Sequence, residues 1–206
     1  MAQDWLSFER PLWSAGIRNI AGIDEVGRGC LAGPVVAAAV IFPPNCCIPG
    51  VDDSKRLSPT VREALYPIIC EAAIAYGVGI VGAEEIDVIN ILQAARKAMG
   101  LAVSQLAVQP EHLFIDGRDG IEQPLPQSPI VQGDRRSHSI AAASIIAKVT
   151  RDRMMVEYES LYPTFRFGKH KGYGTEQHLE ELKQFGVTPI HRRSFAPCRD
   201  TGKPHR

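Results

Sequence analysis

Eight consecutive apolar residues, Val35 to Phe42 (VVAAAVIF), restrict this chain more than any other stretch. The weakly polar run that contains them starts at Leu31, holds Gly33 and Pro34, and is too short to span a bilayer. Its nearly continuous apolar character implies a strand buried on both faces, ended by Pro43-Pro44-Asn45. Just before it, the apolar run Ile20 to Val26 ends in two adjacent carboxylates, Asp24 and Glu25, and Gly27-Arg28-Gly29 follows. Strand residues alternate faces, so the two acids cannot both point squarely one way while the strand continues. The glycines allow the strand to stop there and bend. Acids beside exposed backbone amides and an arginine suit a metal-dependent reaction on a phosphate. On these residues alone, a charged strand end before an ordinary glycine turn fits equally well.

The rest of the chain reads as helix alternating with strand. Trp5, Phe8, Leu12 and Trp13 belong to a lead-in segment, 1–19, that can pack on a domain surface. Ser58-Pro59 opens a helix through Glu71, with a kink or break expected at Pro67 because an interior proline loses a hydrogen bond and clashes one turn back. Ile74 to Gly82 is a glycine-rich strand expected at a sheet edge. Asn90 caps a longer helix, His112 to Ile115 is a short strand, and Pro129 to Gln132 is the last one. Ser137 or Ser139 opens a helix through about Tyr158. Tyr162 to Gly174 is basic, aromatic and irregular; Thr175 caps a short helix that Gly186 ends, and fraying is expected from Arg199. The pattern predicts an α/β sheet with helices on both faces, a core over 20–160, and a basic extension, 161–206, of the same domain. The stripe Leu161, Phe165, Phe167 reads as core, and His170, His178 and His191 read as structural or solvent-facing.

Lysine plus arginine and aspartate plus glutamate both number 23, so overall charge selects no partner. From Lys148 onward there are 12 basic and 7 acidic side chains. An acidic part able to hold cations joined to a basic part able to hold phosphates fits a nuclease, although a modest split is also common on solvated surfaces. The five cysteines form no C-x-x-C pair, and their odd number argues for reduced thiols in a cytoplasmic protein. The first 13 residues carry Asp4, Glu9 and Arg10 and lack an apolar signal core.

Three predicted strands end in acids: Asp24-Glu25, Asp116 and Asp134, each with a glycine close by. Functional groups of open α/β sheets collect at such ends. Four carboxylates there would repel one another, and divalent cations would relieve that cost. Carboxylate oxygens suit Mg²⁺ or Mn²⁺, whereas zinc would call for histidine or cysteine. Asp116 or Asp134 in isolation fits a turn-forming acid better.

The motifs IAGIDEVGRG…LAGPVVAAAV, DDSKRLS, FIDG, QGD…SIAAASIIAKVTRDR, FGKHKGYGT and GVTPIHRRSF occur in order between about Ile20 and Phe195. Together they resemble the ribonuclease HII (type 2 ribonuclease H) family. The resemblance implies a ribonuclease H-like fold: a five-stranded mixed sheet flanked by helices, with a helical C-terminal extension. It implies a monomeric endoribonuclease that hydrolyses the RNA strand of RNA–DNA hybrids and nicks duplex DNA 5′ of embedded ribonucleotides. Such an enzyme leaves 5′-phosphate and 3′-hydroxyl ends while removing primers and misincorporated ribonucleotides. The family's metal-holding acids fall on Asp24, Glu25, Asp116 and Asp134, its ribonucleotide-reading turn on Gly27, Arg28 and Gly29, and its junction-sensing tyrosine on Tyr173. Cys30 stands where a proline is expected, freeing φ and restoring an N–H.

The mechanism so implied is two-metal hydrolysis with Mg²⁺ or Mn²⁺. Arg28, Lys55 and Lys148 are candidates to neutralise substrate phosphates, with a solvated lysine equally compatible for Lys55 and Lys148. A non-catalytic hybrid-binding module would have no need of all four acids. Another ribonuclease H-like nuclease, such as a junction resolvase, would cut all-DNA junctions without a 2′-hydroxyl.

Overall fold

The computed structural model describes residues 4–199, so the fraying expected beyond Arg199 lies outside the described residues. Along the chain run α1 (Glu9–Ser14), β1 (Ile20–Val26), β2 (Val35–Ile41), α2 (Pro59–Ala72), β3 (Ala75–Val81), α3 (Ala83–Ser104), β4 (His112–Asp116), β5 (Gln127–Ile130), α4 (His138–Leu161), α5 (Phe167–His170), α6 (Glu176–Phe185) and α7 (Ala196–Arg199). The five strands form one mixed sheet in the order β3-β2-β1-β4-β5. β1 pairs antiparallel with β2 and parallel with β4. No helix among the described residues is long and apolar enough to cross a membrane.

The apolar run does what its composition requires. Every residue of β2 is buried, with Val35, Ala37, Ala39 and Ile41 in the core under α3 and Val36, Ala38 and Val40 in the core under α4. Long α4 lies close on β1 because Gly22 has no side chain; a Cβ there would collide with the backbone of Ser139 and Ile140. Ser137 caps α4, its hydroxyl accepting from the Ile140 N–H, and Glu9 accepts from the hydroxyls of Ser137 (2.7 Å) and Ser139 (2.9 Å). The lead-in segment is thus stitched to the helix that covers the sheet, and Phe8, Leu12 and Trp13 pack against Ile20, Phe114, Ile130 and Ile140.

Several local expectations shift. α2 runs through Pro67 without a break. Pro67 and Glu63, whose carbonyl loses its partner, are both exposed, so the unpaired carbonyl is on the solvent side while Leu65 and Ile69 anchor the buried side. β5 spans Gln127–Ile130, two residues earlier than expected. Its edge position tolerates Pro129, and the Gln127 side chain fastens the preceding loop through Ile121 and Gln123. Asn90 does cap the longer part of α3: it takes φ +66° and accepts from the N–H groups of Leu92 and Gln93. The irregular basic stretch contains α5, and Leu161 is exposed whereas Phe165 and Phe167 are fully buried.

His138 is buried with its Nε2 accepting from the Ile48 N–H, and burial pushes its imidazole down to about 4; burial does the same to His178. The unfolded chain binds these protons near 6.5 while the folded one refuses them, so their stabilisation is full above that pH and is lost as pH falls toward about 4. His138→Gln keeps an acceptor for Ile48 but cannot titrate. Its thermal midpoint is expected to fall less steeply than that of the wild type across this window; parallel curves would reject the assignment.

Candidate active site

Register brings the acids together. The β1–β4 pairing ends at Ile23↔Ile115, so Asp24 and Asp116 are the next residues on the two strands. Asp24 follows Gly22 on the α4 face and Glu25 follows Ile23 on the α3 face. Asp134 sits in a short 3-10 turn, Gly133–Arg135, tied to β4 because the Gly133 N–H donates to Asp116 Oδ1 at 2.7 Å. Asp24 and Asp134 are each only 5% exposed.

Burial, then the charges of Glu25, Asp116 and Asp134, hold Asp24 well above the usual carboxylate range, with Lys55 offsetting part of the effect. Burial raises Glu25 as well, against the nearby Arg28 guanidinium, which lies 3.2 Å away. Burial and the neighbouring Asp116 and Asp53 raise Asp134, against Lys55 and Arg135. Burial opposes the Lys55 charge, yet Asp24, Asp134, Asp53 and Asp116 together keep its pKa above the ordinary lysine value.

Among the described residues no three carboxylate, imidazole or thiol groups are already gathered into a cation-sized cluster. Positive side chains provide compensation instead: Lys55 Nζ lies 3.7 Å from Asp134 Oδ2. The donor set still fits a hard divalent cation, since it consists of carboxylate oxygens carrying more negative charge than Lys55 and Arg28 offset.

Lys55 is positioned by a residue that the sequence did not single out. Fully buried Asp53 accepts from the Lys55 N–H (2.9 Å) and from Arg135 Nε (3.0 Å), and the adjacent Ser54 N–H reaches Ser144 Oγ on α4. Lys148 pairs with Asp152 at 2.6 Å, one turn along α4, beside the Arg62–Asp152 contact, and its ion pair is not with any of the four acids.

Two buried arginines hold the glycine turn and the segment leaving it. Arg192 donates from Nη2 to the carbonyls of Gly27 (2.6 Å) and Gly33 (2.9 Å) and from Nη1 to Arg28 (2.9 Å). Burial pushes its guanidinium down to about 10. Arg151 of α4 donates to Pro34 (2.9 Å), Ala32 (3.0 Å) and Lys171 (2.9 Å). Gly27 takes φ +95°, and a Cβ on it would lie 2.8 Å from the Pro34 carbonyl and closer still to Arg151. Only glycine meets both demands. Arg28 keeps half of its side chain exposed beside Glu25. Cys30 forms an isolated antiparallel bridge with Tyr173, and Leu31 N donates to the Gly172 carbonyl at 2.8 Å, so the Tyr173 loop lies against the segment that leaves the turn. Tyr173 is 41% exposed. Arg151 and Arg192 were visible only as two basic residues in a basic region; nothing in their spacing distinguishes a buried guanidinium from a solvated one.

Repelling acids beside a turn rigid enough to present its backbone to a ligand, on this strand order, define a nuclease of the ribonuclease H-like class. Within that class the chain belongs to the ribonuclease HII family, whose sequence model matches residues 21–198. It is 55% identical to the ribonuclease HII of Geobacillus kaustophilus over 201 residues, 98% of this chain and 77% of that one. The crystal structure of the ribonuclease H2 from Pyrococcus horikoshii OT3 superimposes with a TM-score of 0.72 at 28% identity, covering 89% of this chain and 96% of the other. Bst-RNase HIII, solved in complex with Mn²⁺, shares the fold at 19% identity and a TM-score of 0.65, over 89% of this chain and 69% of its own. Nucleases of the family are metal-dependent hydrolases.

Neutralising Asp24 removes a buried charge that three neighbours oppose. In metal-free buffer Asp24→Asn is expected to raise the thermal midpoint, by roughly 2–4 °C for each 1 kcal/mol relieved in a chain of this size. A lowered midpoint would contradict the repulsion.

Proposed function

We propose that this chain hydrolyses the RNA strand of RNA–DNA hybrids. We propose further that it nicks duplex DNA on the 5′ side of a single embedded ribonucleotide, leaving 5′-phosphate and 3′-hydroxyl ends. One observation carries the finer reading: the arginine-clamped turn Gly27-Arg28-Gly29 continues directly from Asp24-Glu25, and Tyr173 is bridged to Cys30, the next residue. Ribose reading and phosphate chemistry then share one nucleotide, and Tyr173 meets its neighbour. A site needing several successive riboses would spread its contacts along the strand.

Asp24, Glu25, Asp116 and Asp134 would hold two divalent cations, Mg²⁺ or Mn²⁺. When bound, such cations lower the pKa of water and stabilise a leaving oxygen. The remaining work belongs to the chain. The Gly27-Arg28-Gly29 backbone presents donors and acceptors to the 2′-hydroxyl, the group that separates RNA from DNA. Lys55, fixed by Asp53, sets a positive charge beside the acids where substrate phosphate adds negative charge. Arg28 serves the same end from the turn. The Tyr173 ring stacks on the deoxyribose that follows the ribonucleotide. Lys148 is paired with Asp152, whose main-chain carbonyl accepts from Lys171 beside the Tyr173 loop, and is a further candidate to meet substrate phosphate. The enzyme acts in this reading as a cytoplasmic monomer.

End-labelled duplexes containing four, one or no ribonucleotides, incubated with Mg²⁺ or Mn²⁺, test the assignment. The first two are expected to be cut, the second at one 5′ position, and the third left intact. Asp24→Asn is expected to lose at least about 1,000-fold in rate while remaining folded. Cleavage of the all-DNA duplex or of an all-DNA junction would overturn 2′-hydroxyl reading. Failure on the single-ribonucleotide duplex would overturn the junction model.

A further inference from the structure

Beneath the Tyr173 loop lie three buried imidazoles, and the hydrogen bonds of two of them, His178 and His191, form one directed chain. Thr188 N–H donates to His191 Nδ1 at 2.9 Å, which leaves the His191 proton on Nε2. That nitrogen is 3.0 Å from His178 Nε2. His178 Nδ1 is 2.9 Å from the carbonyl oxygen of Tyr173, which only accepts, so the His178 proton is on Nδ1 and its Nε2 is the acceptor that His191 requires. The tautomers agree from end to end: Thr188 N–H to His191, His191 N–H to His178, His178 N–H to Tyr173. His170 closes the other side. Gly172 N–H donates to its Nδ1 at 3.2 Å and its Nε2–H points to Glu181 at 3.0 Å, while its ring stacks on His178 with centroids 4.2 Å apart. Phe165 and Phe167 pack against the rings and keep the chain dry.

We propose that His178 and His191 are positioning residues for Tyr173, fixing its main chain relative to the glycine turn and thereby setting how well the protein distinguishes a single ribonucleotide in DNA from continuous RNA. The adjacency of His191 and Arg192 gives the arrangement its purpose. One residue reaches the Tyr173 carbonyl through His178, and the next holds the Gly27, Arg28 and Gly33 carbonyls. Two neighbouring residues on one rigid segment therefore set the separation between the two reading elements. His191 itself touches no substrate. The inference rests on Tyr173 being the reader of the nucleotide after the ribose.

The test compares His191→Gln, whose amide can still donate to His178, with His191→Leu, which cannot. Each is made in the wild-type background and in Tyr173→Ala, with kcat and KM measured on the single-ribonucleotide duplex and on a uniform RNA–DNA hybrid. His191→Leu is expected to lower kcat/KM on the single-ribonucleotide duplex by at least about tenfold and on the hybrid by less than about threefold, with Gln restoring most of the difference. In the Tyr173→Ala background His191→Leu is expected to change the ratio between substrates no further, since the ring that the histidine pair positions is already gone. Equal losses on both substrates, or independent losses in the double variant, would overturn the proposal. His178→Asn, which keeps a donor for the Tyr173 carbonyl but has no acceptor for His191, provides a second route if the leucine variant is unstable; it is expected to lose discrimination as His191→Leu does. Unchanged discrimination with an intact thermal midpoint would also count against the proposal. An unchanged ratio in Tyr173→Ala alone would instead remove the junction-reading role of Tyr173, a separate failure.

Discussion

Mutual repulsion among Asp24, Glu25, Asp116 and Asp134 is the constraint around which the molecule is arranged. The sheet register that brings Asp24 level with Asp116, and the bond from Gly133 that draws in Asp134, impose an energetic cost on the folded state. The core accepts it because the strands bearing these acids are otherwise deeply buried, with Ile23 and Ile115 almost fully enclosed one residue before the carboxylates. Lys55 and Arg28 offset part of the charge and leave a net negative remainder. Asp53, which is paired to Arg135 and grips Lys55, shows how much structure is devoted to one lysine whose ammonium is mostly exposed.

The second demand is geometric. In the proposed function the Gly27-Arg28-Gly29 turn meets a sugar hydroxyl through its backbone, and it must hold its shape without strand partners on both sides. Arg151 and Arg192 meet that demand by donating to main-chain carbonyls, so they enforce shape independently of the side chains at Arg28 or Cys30. Guanidinium suits the task because its planar fork satisfies several acceptors at once, which a lysine ammonium cannot match in direction. The basic extension is consequently part of the site's framework as well as a source of positive charge.

Much of this was legible in the chain. The buried strand, the acids at the ends of β1 and β4, the Asn90 cap and the Ser58, Ser137 and Thr175 caps follow from local rules about periodicity and hydrogen bonding, whereas Asp134, expected at a strand end, lies in a 3-10 turn beyond β5. Pro67 misled because the penalty for an interior proline depends on which side of the helix faces water. β5 was displaced because Gln127 replaces an apolar signal with side-chain bonds to its own loop. Lys148 fitted a phosphate contact and a solvated lysine equally well, and its ion pair is with Asp152 one turn along α4; Arg192 was not singled out. Burial of a long polar side chain is decided by distant partners, and a single sequence carries no trace of them. The histidines were read as structural or solvent-facing, and the order of His191 and His178 along one proton-donating chain emerges only when residues 13 positions apart meet.

The bond from Arg192 to Gly27 joins residues separated by 165 positions. Closing so long a loop costs chain entropy before the contact returns anything, and contacts of that span set the pace of folding. β1 and β2, a short hairpin, can pair long before the extension docks. A refolding molecule therefore acquires its sheet spectroscopically ahead of its working turn, and local opening of the extension would dissolve the turn while the sheet persists. Recovery of cleavage, rather than recovery of secondary structure, marks the completion of folding.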